Sequence, residues 1–491
     1  MSAKICQIAA ELSPFAKTGG LGDVASGLSS FLSRQGGDVR IFVPYYASLA
    51  KTPEKYPKVD FIQDVPLQLG SLRFTYGLRT AKLPGSDDQV DVYFVDCPDL
   101  YGAEGIYQGD WADARRFAVL TLAAFEACQR MGWGPDVVHV HDWHTSLAPI
   151  FLKTHFAWDR LFEKTKTVLT IHNAGYQGVV DRQLVEDLGL SKWAYLFHQE
   201  DYRSGQVNHL KNGILHADVV TAVSPTYARE IQGSLGYGLE SLLQARGVIG
   251  LINGVDYGEW DPAADPHLPA HYSVDDLAGK VENKRAMLRD VGFDPEGEER
   301  LDVPLLGIVS RLTPQKGFDL LFSTLPLFLA HREVRLVALG SGEPRYEEFF
   351  ASLQHLFPGK VWFYRGFNNP LAHRIEAAAD IFLMPSKFEP CGLNQMYSLR
   401  YGTPPIVHKT GGLADTVLPF DPSSGRGTGF VFDHFTPEGF AWALGQALEH
   451  FPNRPLWDRL VENGMTRNFS WDEVGTSYVN LYNHLVSGGR G

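Results

Sequence analysis

Two successive series of short β-rich segments constrain the fold of this chain more than any other feature. Each segment is followed by a loop rich in Gly, Ser, Pro or Asp and then by an apolar pattern of helical period. The first series comprises residues 5–9, 39–43, 90–95, 137–140, 168–171 and 219–223. The second comprises residues 304–309, 334–339, 361–364, 381–384 and 405–407. Strands that alternate with helices form parallel sheets covered on both faces, so the sequence predicts an α/β protein with two doubly wound domains.

The length of the chain and one turn-rich segment also indicate two domains. The 491 residues exceed what a single hydrophobic core usually organises. Residues 251–262, LINGVDYGEWDP, are rich in turn formers, and a polar stretch follows to about residue 300. We therefore predict that the domains connect near residue 250. Ligands of such sheets bind outside the carboxyl ends of the strands, and two facing domains would form one cleft.

Charge and composition exclude several classes of protein. The net charge is −13 and no block of Lys or Arg occurs, which argues against a nucleic-acid-binding surface. No apolar run reaches 18 residues, and residues 4–10 are too short and too polar for a signal sequence. The four cysteines are far apart and form no C-x-x-C pair, so neither a disulfide framework nor a structural zinc site is indicated. We expect a cytoplasmic protein with no nucleic-acid or membrane partner.

A glycine-rich motif, KTGGLGD, occupies residues 17–23 and returns as KTGGLAD at residues 409–415. The first copy lies between a strand and a helix, where glycines allow close approach of a ligand and the helix amides favour an anion. G-x-G-x-x-A within it also matches a dinucleotide fingerprint, which would place an acidic residue at the end of the second strand. That strand ends FVPYY without a carboxylate, so an NAD-linked oxidoreductase is a weaker alternative. A turn needed only for packing remains a third interpretation.

Two histidine-containing segments follow predicted strands. HVHDWH at residues 139–144 places His139 and His141 on one face, as in metal sites built from H-x-H, although a hydrogen-bonded structural pair is commoner. The segment 170–173, TIHN, could contribute hydrogen bonds to a polar substrate. We interpret both as a polar binding surface without a metal.

Two further segments carry charge after strands of the second series. In SRLTPQKG, residues 310–317, Thr313 is a candidate N-cap and Pro314 a first helical residue, so Arg311 and Lys316 would flank a helix start and could hold a diphosphate. A solvated pair of basic residues is the alternative. In SKFEPCGL, residues 386–393, Glu389 could accept hydrogen bonds from sugar hydroxyls or be an ordinary surface acid.

These motifs, with EPCGLNQMYSLRYGTPPIV and the second KTGGL, occur in an order that resembles the bacterial glycogen synthases and plant starch synthases. The resemblance spans essentially the whole chain. It implies GT-B architecture, in which two Rossmann-like doubly wound domains face a deep interdomain cleft. It also implies retaining transfer of glucose from ADP-glucose to the non-reducing end of an α-1,4-glucan, without a cofactor or metal. The implied domains are an acceptor-side domain at 1–250, a nucleotide-sugar domain at 251–470 and a C-terminal helix at 471–491 that crosses back to the first.

The resemblance also assigns site residues by motif. The implied catalytic residues are His172, Arg311, Lys316, Glu389 and Asp142. The residues implied to bind ADP-glucose or the glucan are Lys17, Gly19, Gly20, Asp23, Asn173, Asn253, Phe367, Cys391, Gly392, Leu393, Thr410 and Gly411. Phe367 would lie against adenine, and the backbone amides of the last four would line the donor.

Two positions depart from the pattern of the wider architecture. Tyr397 stands where many retaining relatives carry a second glutamate, which matches glycogen synthases, and Asn394 stands where Thr or Ile is frequent. The alternatives left open are a UDP-dependent retaining glycosyltransferase and a catalytically silent glucan-binding protein.

Overall fold

The computed structural model describes residues 3–86, 89–293 and 300–488 and divides the chain into two compact units. Unit 1 contains the described residues up to Gly254 together with those from Trp471 onward. Unit 2 is Val255–Ser470. The chain therefore passes between the units twice, after Gly254 and after Ser470.

Unit 1 is built on a sheet that has nine strands in the described part of the chain. Its strands are β1 (Lys4–Ile8), β2 (Asp38–Pro44), β3 (Val65–Leu69), β4 (Leu72–Lys82), β5 (Asp91–Asp96), β6 (Val137–His141), β7 (Lys166–Ile171), β10 (Val219–Ala222) and β11 (Ile249–Gly250), with β8 (Val179–Asp181) and β9 (Gln206–Asn208) in a separate pair. The order is β11-β10-β7-β6-β1-β2-β5-β4-β3, parallel except where β4 pairs with β3 and β5. All six strands predicted for the first series are confirmed.

The antiparallel edge formed by β3 and β4 was not predicted. Residues of β3 alternate between buried and exposed positions, and much of β4 is only half-buried. Edge strands of this kind lack the continuous apolar runs that mark the central parallel strands, so the sequence pattern does not stand out.

Helices cover both faces of this sheet. They are α1 (Gly20–Arg34), α2 (Pro98–Tyr101), α3 (Asp110–Arg130), α4 (Asp142–Thr145), α5 (Ala148–Lys153), α6 (Gln183–Asp187), α7 (Gln199–Arg203), α8 (His209–His216), α9 (Pro225–Ile231) and α10 (Glu240–Arg246). Short 3-10 turns occur at Leu49–Lys51, Pro53–Lys55, Arg160–Phe162 and Ser191–Leu196. The long helices α1 and α3 bury wide apolar stripes, and α1 packs in one core with β1 and β2.

Unit 2 has a parallel sheet that, in the described residues, runs β14-β13-β12-β15-β16-β17. The strands are β12 (Leu305–Leu312), β13 (Arg335–Gly342), β14 (Val361–Arg365), β15 (Ile381–Met384), β16 (Pro405–His408) and β17 (Phe430–Phe432). The helices are α11 (Ala278–Asp290), α12 (Leu321–His331), α13 (Pro344–Leu356), α14 (Asn369–Ala378), α15 (Asn394–Arg400), α16 (Gly411–Thr416), α17 (Pro437–His450) and α18 (Arg454–Met465). The five predicted strands are confirmed, and the three-residue β17 was missed because it is too short to form a pattern.

The α-helix start predicted at Thr313 and Pro314 is wrong, because a 3-10 turn forms there. Pro314–Lys316 is a single 3-10 turn, and Thr313 makes no side-chain cap. Gly317 then adopts a left-handed backbone with φ of 74°, and a Cβ there would lie 1.9 Å from the Pro385 carbonyl oxygen. A second 3-10 turn, Phe318–Leu320, precedes α12. The close approach of residues 310–317 to the loop after β15 therefore interrupts the helix.

The last two helices, α19 (Trp471–Val474) and α20 (Thr476–Val486), belong to unit 1. Trp471, Tyr478, Tyr482 and Leu485 are buried in the same core as α1. Glycines make room for the indole: a Cβ on Gly27 would lie 2.0 Å from Trp471 Nε1. Within the described ranges, no helix has the length and apolarity needed to cross a membrane.

Replacing Trp471 by Ala should destabilise unit 1. The change leaves a cavity between α1 and the residue 254 segment, and emptying a buried aromatic site costs about 3–5 kcal/mol. Trp442→Ala is the matched control, because Trp442 on α17 is 59% exposed. Urea unfolding followed by circular dichroism should show a much lower midpoint for Trp471→Ala alone. Equal midpoints for the two variants would contradict the packing role.

Candidate active site

Polar side chains of unit 1 lie where parallel strands end. Glu11 follows β1, Asp142 follows β6 and His172 follows β7, and these three strands are neighbours in the sheet. The chain order changes direction between β1 and β6, which is the position where open α/β sheets bind ligands. The predicted residues Asp142 and His172 are thus brought, together with Glu11, to one edge of one sheet.

His172 is held through a chain of ring hydrogen bonds. Its Nε2 lies 3.0 Å from His141 Nδ1, and His141 Nε2 lies 3.0 Å from Gln7 Oε1. Because the Gln7 oxygen accepts, His141 carries its proton on Nε2, and His172 Nε2–H donates to His141. Burial lowers the pKa of His172 to about 3, so the ring is neutral at physiological pH. His172 Nδ1 is then left as a hydrogen-bond acceptor.

His139 and His141 do share a face, as the alternation predicts, with ring centroids 4.3 Å apart. His139 Nδ1 lies 2.6 Å from the Tyr482 hydroxyl, and its Nε2 lies 2.6 Å from Thr170 Oγ1. All four ring nitrogens of the pair therefore meet protein groups. Burial lowers the pKa of both imidazoles, of His139 to about 3. The structural interpretation accounts for this pair, and no group of three or more candidate metal ligands occurs within the described ranges.

Asp142 positions the loop that carries His172. Its Oδ1 accepts from the backbone N–H of His172 at 2.7 Å and of Asn173 at 3.2 Å. Asp142 has a φ of 54°, which turns the carboxylate back toward that loop. Burial raises the pKa of Asp142 to about 7 although the two amides lower it. Asn173 Oδ1 in turn accepts from the Gly175 amide at 3.0 Å.

The first KTGGL motif is organised around a carboxylate that sequence reasoning did not select. Glu11 Oε2 accepts from the amides of Thr18 and Gly19 at 2.7 and 3.1 Å. Glu11 Oε1 accepts from the Thr18 hydroxyl at 2.9 Å and from the Tyr107 hydroxyl at 2.5 Å. These two loop amides are therefore occupied by Glu11. A carboxylate just before a glycine-rich loop was the available signal for Glu11, whereas Tyr107 lies in no recognisable motif.

The remaining unit 1 candidates lie near this loop and after β11. Lys17 Nζ pairs with Asp23 Oδ1 at 2.8 Å, and both side chains are partly exposed. Gly19 is the N-cap of α1, and Gly20 is its first residue. Asn253 is buried, and its Oδ1 has no hydrogen-bond partner among the described residues. An unpaired buried acceptor is costly, so Asn253 is suited to receive a donor from a ligand.

In unit 2 an ion pair joins two of the predicted residues. Lys316 Nζ lies 2.6 Å from Glu389 Oε2, which also accepts from Ser386 Oγ at 3.0 Å. Both charged side chains are largely buried. Lys387 N–H donates to the Gln315 carbonyl at 2.8 Å, which ties the two loops together. Glu389 is therefore not the exposed surface acid of the alternative interpretation.

Arg311 differs from this pair. It lies near the end of β12 and is exposed, and no carboxylate of the described residues is within ion-pair distance of its guanidinium. A guanidinium in this state can bind an anionic ligand through two parallel hydrogen bonds.

The second KTGGL motif uses its glycines differently from the first. Gly411 has a φ of 43°, and a Cβ there would lie 1.9 Å from the Glu389 carbonyl oxygen. Gly412 N–H donates to that same oxygen at 3.0 Å, and Thr410 N–H donates to the His408 carbonyl at 2.9 Å. Lys409 pairs at the surface with Asp433. This copy therefore supports the backbone of the Glu389 loop.

The other unit 2 candidates are distributed around the same strand ends. Cys391 is buried, Gly392 and Leu393 lie directly before α15, and Phe367 follows β14 with 82% of its surface exposed. Asn394 Nδ2 donates to the Val309 carbonyl at 2.7 Å, which gives this departure from the pattern a structural role. Tyr397, the other departure, stacks on Trp260 with ring centroids 4.0 Å apart.

Comparison with known proteins shows to which class of protein this fold and site belong. Residues 4–245 match the family model of the starch synthase catalytic domain, and residues 293–466 match that of the glycosyl transferases group 1. The catalytic domain of starch synthase IV from Arabidopsis thaliana, solved with ADP and acarbose, superposes with a TM-score of 0.90 at 33% identity, covering 99% of this chain and 100% of that one. The fold and site define a glycosyltransferase of GT-B architecture.

Full-length relatives identify the family. Glycogen synthase of Anaeromyxobacter dehalogenans is 43% identical over 98% of this chain and 100% of its own. Glycogen synthase of Streptococcus equi is 41% identical over 98% and 100%. The chain belongs to the glycogen synthase family. Sucrose-phosphate synthase from Thermosynechococcus elongatus, at 17% identity and a TM-score of 0.62 over 99% of this chain and 100% of that one, shares the fold.

Asp142→Asn should change how stability depends on pH. The folded state raises the pKa of this carboxyl from 3.8 to about 7, so between those values the folded state holds a proton that the unfolded chain has released. Stability then falls as the pH rises through this range, by about 1.4 kcal/mol per pKa unit. Between about pH 4 and about pH 7, we expect the free energy of unfolding of the wild type to fall by several kcal/mol relative to that of Asp142→Asn.

Urea unfolding at stepped pH values measures this difference. Asp433→Asn is the control, because the Asp433 side chain is 65% exposed. Parallel stability curves for the wild type and Asp142→Asn would rule out the raised pKa.

Proposed function

We propose that this protein transfers glucose from ADP-glucose to the non-reducing end of an α-1,4-glucan with retention of configuration, and so elongates glycogen. The observation that carries the proposal is the arrangement of Arg311, Lys316 and Glu389 at the strand ends of unit 2. It combines cations for a diphosphate with a fixed carboxylate for a sugar. Membership of the glycogen synthase family and the ADP-bound starch synthase relative support the same reading.

The donor diphosphate would be bound in unit 2. Breaking the bond between glucose and phosphate leaves negative charge on the departing diphosphate, and fixed cations stabilise that charge without reorganising. Arg311 is available for this role because its guanidinium has no acidic partner among the described residues. Lys316 is held in one place by Glu389, so its ammonium is preorganised. The exposed ring of Phe367 offers a surface for adenine.

Glu389 would orient the transferred glucose. One carboxylate oxygen, Oε2, is occupied by Lys316 and Ser386. In the described part of the chain, Oε1 accepts no hydrogen bond, so it can receive a sugar hydroxyl. The backbone of this loop is fixed by Gly411 and Gly412, which supports such a role because a sugar contact requires a rigid acceptor.

Retention of configuration raises the question of a nucleophile. A double displacement would need a free carboxylate beneath the anomeric carbon. Two carboxylates of the unit 1 site are committed elsewhere: Glu11 accepts four hydrogen bonds, and Asp142 holds two amides while burial raises its pKa. We therefore favour a front-face reaction in which the departing phosphate takes the proton of the acceptor hydroxyl. Neutral His172 and its neighbouring backbone would stabilise the cationic sugar.

The glucan acceptor would be bound by unit 1. Lys17, Asp23, Asn173 and Asn253 supply polar groups at its strand ends, and Tyr107 adds an aromatic surface beside Glu11. We also propose a cytoplasmic location, since all four cysteines are buried free thiols, as suits a reducing compartment.

A donor comparison tests the function. Purified protein is incubated with glycogen and either ADP-glucose or UDP-glucose carrying labelled glucose, with and without a chelator. We expect incorporation of label with ADP-glucose, little with UDP-glucose, and release of the label by an enzyme that cleaves α-1,4 linkages. Preference for UDP-glucose would establish the UDP-dependent alternative, and no incorporation from either donor would indicate a silent glucan-binding protein.

Arg311→Ala should lower kcat with ADP-glucose by roughly a hundredfold or more, as does the loss of one preorganised charge-stabilising group in other enzymes. Arg332→Ala is the matched control, because Arg332 is an exposed arginine of unit 2 after α12. Initial rates over a range of donor concentrations separate kcat from KM. Near-wild-type turnover in Arg311→Ala would remove Arg311 from the proposed mechanism.

A further inference from the structure

A short segment near the start of unit 2 packs against helix α15. We call residues 257–265 the connector segment, because they follow the point where the chain passes into unit 2. Trp260 of this segment stacks on Tyr397 of α15, with ring centroids 4.0 Å apart and planes 1° apart. The His373 ring of α14 lies 3.7 Å from the same indole at 12°. Two parallel rings this close cannot share one face of the indole, so Trp260 is held between α14 and α15.

Two carboxylates of the connector segment bind the C-terminal turn of α15. Asp261 Oδ2 accepts from the Arg400 guanidinium at 2.6 Å. Asp265 Oδ2 accepts from the Tyr401 hydroxyl, also at 2.6 Å. Tyr397, Arg400 and Tyr401 are spaced i, i+3 and i+4, so they lie on one face of the helix. The connector segment therefore holds α15 by three residues of a single face.

The first turn of α15 holds the loop that carries Glu389. Gln395 is buried, and its Nε2 donates to the carbonyls of Cys391 and Gly392 at 3.0 Å each. A Cβ on Gly392 would lie 2.4 Å from Gln395 Oε1 and 3.0 Å from Glu389 Cγ, so the loop and the helix are closely packed. Because α15 has seven residues and spans about 10 Å, a shift of its last turn moves this loop as well.

We propose that Trp260 is a positioning residue for the transferred glucose and that it acts through α15 on the loop of Glu389. The stacked indole sets the spacing between α14 and α15, because rings do not approach closer than van der Waals contact. Asp261 and Asp265 fix the rotation of the same helix. The proposal rests on the proposed function, in which Glu389 orients the glucose. An error of about 1 Å in such an orientation can lower turnover by roughly a hundredfold.

Substitutions that keep or remove the flat ring test this role. Trp260→Leu keeps an apolar side chain without a ring, and Trp260→Phe restores a ring that can stack. Trp442→Leu is the matched control, because it makes the same change at an exposed tryptophan of unit 2. With ADP-glucose and glycogen, we expect Trp260→Leu to lower kcat roughly tenfold or more. Trp260→Phe should recover most of this loss, and Trp442→Leu should retain the wild-type kcat.

Calorimetric titration with ADP separates positioning from a loss of folded protein. The stoichiometry of ADP binding counts the molecules whose nucleotide site is intact. In Trp260→Leu we expect the stoichiometry and the ADP affinity of the wild type, because Arg311 and Phe367 are unchanged. The KM for glycogen should also stay at the wild-type value, because the acceptor would be bound by unit 1. A wild-type kcat in Trp260→Leu, or a fall in kcat matched by an equal fall in ADP stoichiometry, overturns the proposal.

Asp261→Asn provides a second variant if Trp260→Leu does not fold. The Asp261 and Arg400 side chains are both partly exposed, so the change weakens their link without opening the core. We expect a several-fold lower kcat with the ADP stoichiometry of the wild type. A wild-type kcat in Asp261→Asn would then overturn the proposal.

Hydrogen–deuterium exchange reports on the loop without any transfer of glucose. The backbone amides of residues 389–400 should exchange faster in Trp260→Leu than in the wild type and in Trp442→Leu. If the wild type transfers no glucose but this exchange rises in Trp260→Leu, the proposed function fails and the support of the loop by Trp260 stands. If the wild type transfers glucose and Trp260→Leu changes neither kcat nor exchange, the support fails and the function stands.

Discussion

Parallel pairing of short buried strands is the constraint on which the rest of this structure depends. Because parallel neighbours point the same way, every loop that follows a strand leaves from one edge of its sheet. In unit 1 this brings Glu11, Asp142 and His172 together although they are far apart in sequence. In unit 2 it brings the segment after β12 against the loop after β15, where Lys316 meets Glu389. The chemistry of each unit follows from that topology.

The two KTGGL copies show how little a shared motif fixes on its own. In the first, the amides of Thr18 and Gly19 turn toward the carboxylate of Glu11. In the second, Gly411 and Gly412 close on the main-chain carbonyl of Glu389. Both copies place a glycine at the start of a helix and both meet a glutamate, but one meets the side chain and the other the backbone. The backbone differs as well, because Gly411 has a φ of 43° whereas the equivalent Gly19 has a φ of −154°. The surroundings of the motif therefore decide both its conformation and its partner.

Sequence reasoning recovered the central strands because continuous apolar runs between turn residues are unambiguous. It missed β3, β4, β8, β9, β11 and β17, which are half-exposed or very short. It also mistook the 3-10 turn at Pro314 for a helix start. That turn depends on the close approach of Gly317 to Pro385, a tertiary contact without a local signal. Tyr107 was missed for the same reason, since its hydrogen bond to Glu11 joins residues 96 positions apart. The Lys316 and Glu389 pairing likewise needed the fold.

The histidines at the strand ends connect the C-terminal helix to the unit 1 site. Tyr482 on α20 bonds to His139, the His139 ring lies 4.3 Å from that of His141, and His141 bonds to His172. Each ring is buried, and burial holds the pKa of all three well below the usual value, so none of them carries charge at neutral pH. Neutral imidazoles can pack side by side without the repulsion that protonated rings would create. Tyr482 of α20 is thus connected to His172 through His139 and His141, and the last helix packs against the support of the site rather than being an appendage to the fold.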